Sequence, residues 1–334
     1  MTTFTVFKGS ADGFPKKSTV VHSDQLEGDR VLVKITASGV CFTDLHYRTA
    51  DMVLGHEGVG VVLDVGPAVQ HLKKGDRVGW GYVTGSCGYC QHCLQGDDNY
   101  CHDRALYGSA NTDHGSFASH ALVREAFLHP LPDALPDEVA APLQCAGATV
   151  FTTLHDVKPN ETVGVLGIGG LGHLAIQFAA KLGCRVVAIS GSDAKKAEAL
   201  KLGAGEFVSL RERRGKSSEK ARWPIDRLIV TASSQPDWSA LLPLMAFKSR
   251  IYPLSVSSGN FEIPYMPLIV NGIAVQGSMV ASRPVHRKML EFAADHGIRP
   301  QIESFEMTED GIKKAVERLE SGELHFRAVL KAQP

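Results

Sequence analysis

Four cysteines at positions 87, 90, 93 and 101 follow the spacing C-x2-C-x2-C-x7-C. Four thiolates within fifteen residues suit a closed tetrahedral zinc site, because the short spacings let one loop wrap one ion. Gly85, Gly88 and Gly96 supply the turns around them. The other readings are four unrelated thiols, two disulfides or an iron–sulfur cluster, which also takes four cysteines. With four sulfur ligands and no open position, a zinc ion held by Cys87, Cys90, Cys93 and Cys101 would be structural.

A second set is dispersed along the chain. Cys41 opens the run Cys41-Phe42-Thr43-Asp44-Leu45-His46, His56 and Glu57 lie in Gly55-His56-Glu57-Gly58, and Cys145 follows much later. Each alone has an ordinary explanation: a lone cysteine is a small buried hydrophobe, a lone histidine a hydrogen-bonding partner. Together Cys41, His56 and Cys145 offer sulfur, nitrogen and sulfur, three corners of a tetrahedron with the fourth left for water or substrate. Cys184 begins an apolar run and reads as an inert core thiol.

Gly167-Ile168-Gly169-Gly170-Leu171-Gly172 fits G-x-G-x-x-G, with an apolar strand pattern before it, a helical pattern after it and a second strand at 184–190. In that context the glycines permit a tight turn and close approach to a pyrophosphate, which the helix N-terminus then faces. At the end of the second strand an NAD site places a carboxylate for the ribose 2′-hydroxyl. Here Ser190, Ser192 and Lys195 stand there, suited to a 2′-phosphate, so NADP(H) is the expected cofactor. Asp193 is an acid at a helix start that could compete.

The elements that must hold these residues fall into two textures. Up to about residue 150 the chain reads as short β-strands, at 31–35, 58–65, 77–82 and 117–123, with prolines 130, 132 and 136 punctuating a loop. Beyond it, strands at 162–166, 184–190, 227–231, 250–254 and 273–277 alternate with helices at 171–182, 193–202 and 237–247, which implies a parallel sheet covered on both faces. Helices at 285–296 and 310–321 and a strand at 326–331 close the chain. The basic run 211–222 reads as a solvated loop, or as a neighbour of a cofactor phosphate.

Composition sets outer limits. The 334 residues allow about two domains, 44% hydrophobic and 21% charged residues are ordinary globular usage, and 35 basic against 36 acidic side chains give no footprint for nucleic acid or a membrane surface. No export signal or membrane span is expected, and a cytoplasmic protein is the default.

The ordered set of motifs resembles the zinc-dependent medium-chain alcohol dehydrogenase family, in its cinnamyl-alcohol-dehydrogenase-like branch. The likeness rests on Cys41-x-Thr43-Asp44, Gly55-His56-Glu57, the four-cysteine lobe, Cys145-Ala146-Gly147-x-Thr149, Gly167–Gly172, and Ser190-x-Ser192 with Lys195. It implies an α/β fold: a GroES-like β-rich catalytic domain from residues 1–151 and 282–334, with a structural-zinc lobe near 85–102, and a doubly wound Rossmann NADP-binding domain from 152–281. It implies a catalytic zinc on Cys41, His56 and Cys145, hence two Zn2+ per chain. Thr43 matches the hydroxyl at the substrate oxygen, His46 the outer end of a proton relay, Asp44 the carboxylate that orients the ligand histidine, and Glu57 a carboxylate near the metal. Thr149 matches a nicotinamide contact and Arg327 a basic residue reaching the cofactor, alongside Gly167, Gly169, Gly170, Leu171 and Gly172 at the pyrophosphate. The substrate would be an aldehyde/alcohol pair, and family habit suggests a homodimer through Rossmann-sheet edges.

Two departures stand out. Phe42 occupies a position where relatives often carry a basic residue, and only nine residues separate His46 from His56, a short segment beside the substrate cleft. Tyr82, and less strongly Trp80, are candidates for pocket lining or for core packing. Reduction of an activated C=C or C=N bond is the enzymatic alternative, though Thr43 and His46 favour carbonyl chemistry. A non-catalytic cofactor-binding scaffold is the alternative of another class.

Overall fold

A computed structural model describes residues 1–110, 112–213, 222–257 and 259–333. Two compact units emerge: Met1–Ala148 with Val280–Pro334, and Thr149–Met279.

In the second unit six parallel strands run in the order 206–209, 185–190, 162–166, 225–230, 245–253, 274–275. Numbered along the chain this is 3-2-1-4-5-6, the doubly wound order expected of a Rossmann domain. Strand Thr162–Leu166 is buried along its whole length, which is why its sequence is a continuous apolar run rather than an alternating one. Helix Gly172–Lys181 buries Leu174, Ala175, Ile176, Phe178 and Ala179 and ends before Gly183, whose φ of 82° a side chain would resist.

The first unit is built on a seven-stranded, mainly antiparallel sheet in which Arg30–Val40 pairs with Gly58–Val65, His120–Arg124 and Arg327–Lys331. The last of these pairings brings the C-terminal segment back onto the N-terminal one. Its core gathers Val31, Val33, Ile35, Phe117, Tyr107 and Leu330, all buried.

The structure departs from the sequence expectations in three places. An antiparallel hairpin, Thr2–Lys8 with Lys16–His22, opens the chain and was not expected. The helix expected over 237–247 stops early: Trp238–Leu241 is helical, Leu242–Leu244 tightens to 3-10 around Pro243, and the strand Met245–Pro253 begins at once. Proline removes a helical donor, and Met245 then pairs with Ile225 as the strand begins. Cys184 lies just before the strand Arg185–Ser190 and is only partly buried, and burial pushes its thiol up to about 11. Most of the basic run, 214–221, lies outside the described residues, while Leu210–Arg213 is a short helix. No helix among the described residues is long and apolar enough to cross a membrane.

Candidate metal centres and cofactor loop

Cys41 is the N-cap of the short helix Phe42–His46, and Asp44 closes a capping box by accepting the Cys41 N–H on Oδ2 at 2.9 Å. Its other oxygen takes the Nδ1 proton of His56 at 2.8 Å. One carboxylate, 2% exposed, therefore sets both the backbone at Cys41 and the ring of His56. With Nδ1 committed, His56 turns Nε2 inward, where it is buried and has no hydrogen-bond partner. The ligand atoms of Cys41, His56, Glu57 and Cys145 all lie within 4.8 Å of one another. An orphaned imidazole nitrogen facing two buried thiols is costly without an ion, and it fits one.

The electrostatics agree. The hydrogen bond from Cys145, then the His56 and Arg327 charges, hold the Cys41 thiol well below its usual range despite burial. Burial alone would pull His56 down, but Asp44 and Cys41 push it well above an ordinary histidine. The bond to Cys41 and burial push Cys145 up. The bond between the two sulfurs thus pushes them in opposite directions, Cys41 toward the thiolate and Cys145 toward the thiol.

Glu57 fits only because Gly39 faces it; a Cβ there would fall 1.8 Å from Glu57 Oε2. Burial raises the Glu57 carboxyl to about 7 against the opposing pull of Arg327. Arg327, expected at the cofactor, sits 4% exposed with Nη2 donating to both Glu57 oxygens. A buried guanidinium and a buried carboxylate each need the other, and here that need is met beside the thiols. Thr43 is partly exposed with Oγ1 3.7 Å from Cys41 Sγ, and His46 is exposed. Phe42 is 57% exposed.

Three aromatic side chains were left undecided or unseen by the sequence. Trp80 is core: it is 2% exposed and packs on Gly58, where a Cβ would meet its ring at 2.2 Å. Tyr82 is partly buried and meets the His56 ring edge-on at 5.8 Å. Tyr107 was missed; its ring lies 4.9 Å from His56 and its hydroxyl accepts the Gly55 N–H at 2.9 Å. It follows the four-cysteine lobe with no spacing signal to mark it.

The four cysteines of the lobe form a second cage. Sγ separations are 3.5 Å for Cys87–Cys101, 3.6 Å for Cys90–Cys93 and 3.9 Å for Cys87–Cys93. A tetrahedron with Zn–S bonds of ~2.3 Å has edges of about 3.8 Å. Backbone N–H groups of Cys90 and Cys87 point at the sulfurs of Cys87 and Cys101, each at 3.4 Å. Donors of this kind, at Tyr89 and Cys90, bring the Cys87 thiol down to about 7. All seven cysteines are free, so the disulfide reading falls.

In the second unit Gly167 has φ 92°, and a Cβ there would meet Ala232 N at 2.8 Å. A Cβ on Gly172 would fall 1.9 Å from Gly167 O, while nothing stands within 4 Å of one on Gly169. The first and last glycines make the turn, and the middle one leaves backbone open to a ligand. Ser190 ends the second strand, Ser192 N–H reaches its Oγ at 3.4 Å, and Lys195 Nζ reaches back to Ile168 O at 2.8 Å. Strand end and glycine turn are therefore stitched into one surface. Thr149 lies in the helix Ala148–Thr152 and is partly exposed.

Comparison with known proteins follows the same division. Residues 27–133 match the model of the alcohol dehydrogenase GroES-like domain, and residues 170–295 that of the zinc-binding dehydrogenase. The chain is 37% identical to cinnamyl alcohol dehydrogenase 7 of Arabidopsis thaliana over 316 residues, covering 90% of this chain and 87% of that one. A cinnamyl alcohol dehydrogenase structure from Sorghum bicolor superposes with a TM-score of 0.90 at 34% identity, covering 99% and 98%. A Helicobacter pylori structure of the same kind, complexed with NADP(H), gives a TM-score of 0.87 at 25% identity, covering 98% of each chain.

Proposed function

The chain belongs to the zinc-dependent alcohol dehydrogenase family, and from that premise we propose that it is an NADP(H)-dependent aldehyde reductase and alcohol dehydrogenase with the ligand and relay residues assigned above. The observation that carries the reading is the buried His56 Nε2, without a partner and facing the thiols of Cys41 and Cys145.

Cys41, His56 and Cys145 would hold the catalytic zinc, and Cys87, Cys90, Cys93 and Cys101 a structural one. Bound zinc would supply Lewis acidity to a carbonyl oxygen, and reduced nicotinamide a hydride to its carbon. The chain's own residues do the rest. Asp44 keeps the proton on His56 Nδ1, so that Nε2 remains a ligand. Thr43 Oγ1 gives its proton to the substrate oxygen as negative charge develops there, and exposed His46 replaces that proton from solvent. Glu57 stays with Arg327 and sets the charge behind the ligands. In the unit 149–279, taken as the cofactor domain, N–H groups of the 167–172 turn cradle a pyrophosphate, and Ser190, Ser192 and Lys195 receive a 2′-phosphate. Thr149 contacts the nicotinamide. We place the enzyme in the cytoplasm as a homodimer.

Turnover of an aldehyde panel with each cofactor tests this. A charge-assisted phosphate contact is worth about 1.5–3 kcal/mol, so kcat/KM with NADPH should exceed that with NADH by roughly tenfold or more. Ser190→Asp should move the preference toward NADH. Equal use of both cofactors by the unaltered enzyme would refute the assignment of Ser190, Ser192 and Lys195.

A further inference from the structure

Cys145 lies in a fully buried five-residue π-helical turn, Leu143–Gly147. Such turns lack the regular α-helical ladder and are held by what packs on them. The neighbour of Cys145 in that turn is Gln144, 1% exposed and bonded on both sides. Its Nε2 donates to Ala140 O at 3.0 Å, and its Oε1 lies 3.0 Å from His286 Nε2. A carbonyl can only accept, so the amide NH2 must face Ala140, the amide oxygen must face His286, and His286 must carry its proton on Nε2.

His286 comes from helix Arg283–Asp295 and is 4% exposed. Its ring stacks on His129 with centroids 3.9 Å apart and planes 17° from parallel. His129 belongs to a two-residue strand that pairs with Gly79 of the strand Arg77–Trp80. That strand and the glycine after it wall in Gln144: a Cβ on Gly79 would fall 2.5 Å from the Gln144 amide, and one on Gly81 2.4 Å from its backbone oxygen. The charged groups facing the stack are Arg283 and Arg287, on the same helix as His286. Burial, then His286 and the charges of Arg287 and Arg283, hold His129 well below the usual histidine range, and burial takes His286 to about 3.

We propose that His129, His286 and Gln144 form a positioning device for Cys145, which locks the turn so that its sulfur is held at the Cys41–His56 corner. Buried polar groups of this kind cost desolvation that an apolar filling would avoid. What they give in return is one fixed geometry. None of the three touches substrate or the reacting atoms; they act through the ligand.

The proposal rests on Cys145 being a metal ligand, and cobalt substitution separates the two questions. If the wild-type protein, with cobalt in place of zinc at the Cys41–His56–Cys145 site, shows no thiolate-to-cobalt band, the ligand assignment itself falls. With the band present, Gln144→Leu and His286→Phe should each shift it and speed metal loss to a chelator from that site by about tenfold or more. Loss from the four-cysteine site should stay unchanged. The double variant should be no worse than the worse single one, and His286→Gln, which restores a donor to Gln144 Oε1, should recover most of the retention. The proposal is overturned if both single variants keep the wild-type band and release rate within twofold. It is equally overturned if release quickens at both sites in step with a falling Tm, which would mark these residues as ordinary core.

Discussion

Thr43 lies two positions beyond Cys41, with its Oγ1 3.7 Å from the Cys41 sulfur, and three positions before the exposed His46. That placement suits it to the proposed role of proton donor to an oxygen held beside Cys41. General acid help of this type is worth about 100- to 10,000-fold. Thr43→Val should therefore remove most aldehyde reduction while zinc content and NADPH binding stay as they were. His46→Gln should lose less, because solvent can refill the relay, and should alter the pH profile of kcat. A loss well below tenfold in Thr43→Val would remove Thr43 from the proton path. The family resemblance supplied these roles; what the short spacing itself carried is the cap, since Asp44 is three residues from Cys41 and accepts its N–H. Arg327 was read from the resemblance as a basic residue reaching the cofactor. Its pairing with Glu57 needs the C-terminal strand to return beside Arg30–Val40, and no local pattern announces that.

The helix Arg283–Asp295 carries a pH dependence that can be signed. His286 ordinarily titrates near 6.5 and is lowered to about 3 by burial. Between those values the unfolded chain binds a proton that the folded one refuses, so stability is full above about 6.5 and falls as pH drops toward 3. His286→Phe should flatten the decline of Tm with acid by about one proton's worth near pH 5. An unchanged slope would mean that His286 titrates normally in the folded protein. Strands and helices with strong periodicity were read close to where they lie: the expected strand 162–166 is Thr162–Leu166, and the glycine turn follows it directly. What escaped was set by partners distant in sequence. The hairpin Thr2–Lys8/Lys16–His22 is seen only through its pairing, and its second strand alternates too weakly, between intermediate and exposed positions, to stand out. Gln144 reads in sequence as a polar residue beside a cysteine; His129 and His286, far along the chain, give it meaning.

Across the molecule, apolar surface gathers on one edge of the parallel sheet. Phe247, Tyr265, Met266, Ile269 and Val270 are each more than 60% exposed, next to the edge strand Ala274–Val275. An open strand edge with exposed apolar side chains invites a second copy. A homodimer through this edge is expected in solution, and Ile269→Asp should yield monomers of unchanged zinc content by light scattering. A wild-type monomer, or a variant that remains dimeric, would place the interface elsewhere or nowhere.

Two separate groups of metal-ligating side chains lie in one chain, Cys87–Cys90–Cys93–Cys101 and Cys41–His56–Glu57–Cys145. Elemental analysis of the purified protein beside its Cys145→Ser variant tests this most directly. Two zinc equivalents are predicted for the wild type and one for the variant, with NADPH-dependent aldehyde reduction lost as that single equivalent is lost. A wild type holding one equivalent, or iron in place of zinc, or a Cys145→Ser protein that keeps both ions and its turnover, would contradict it.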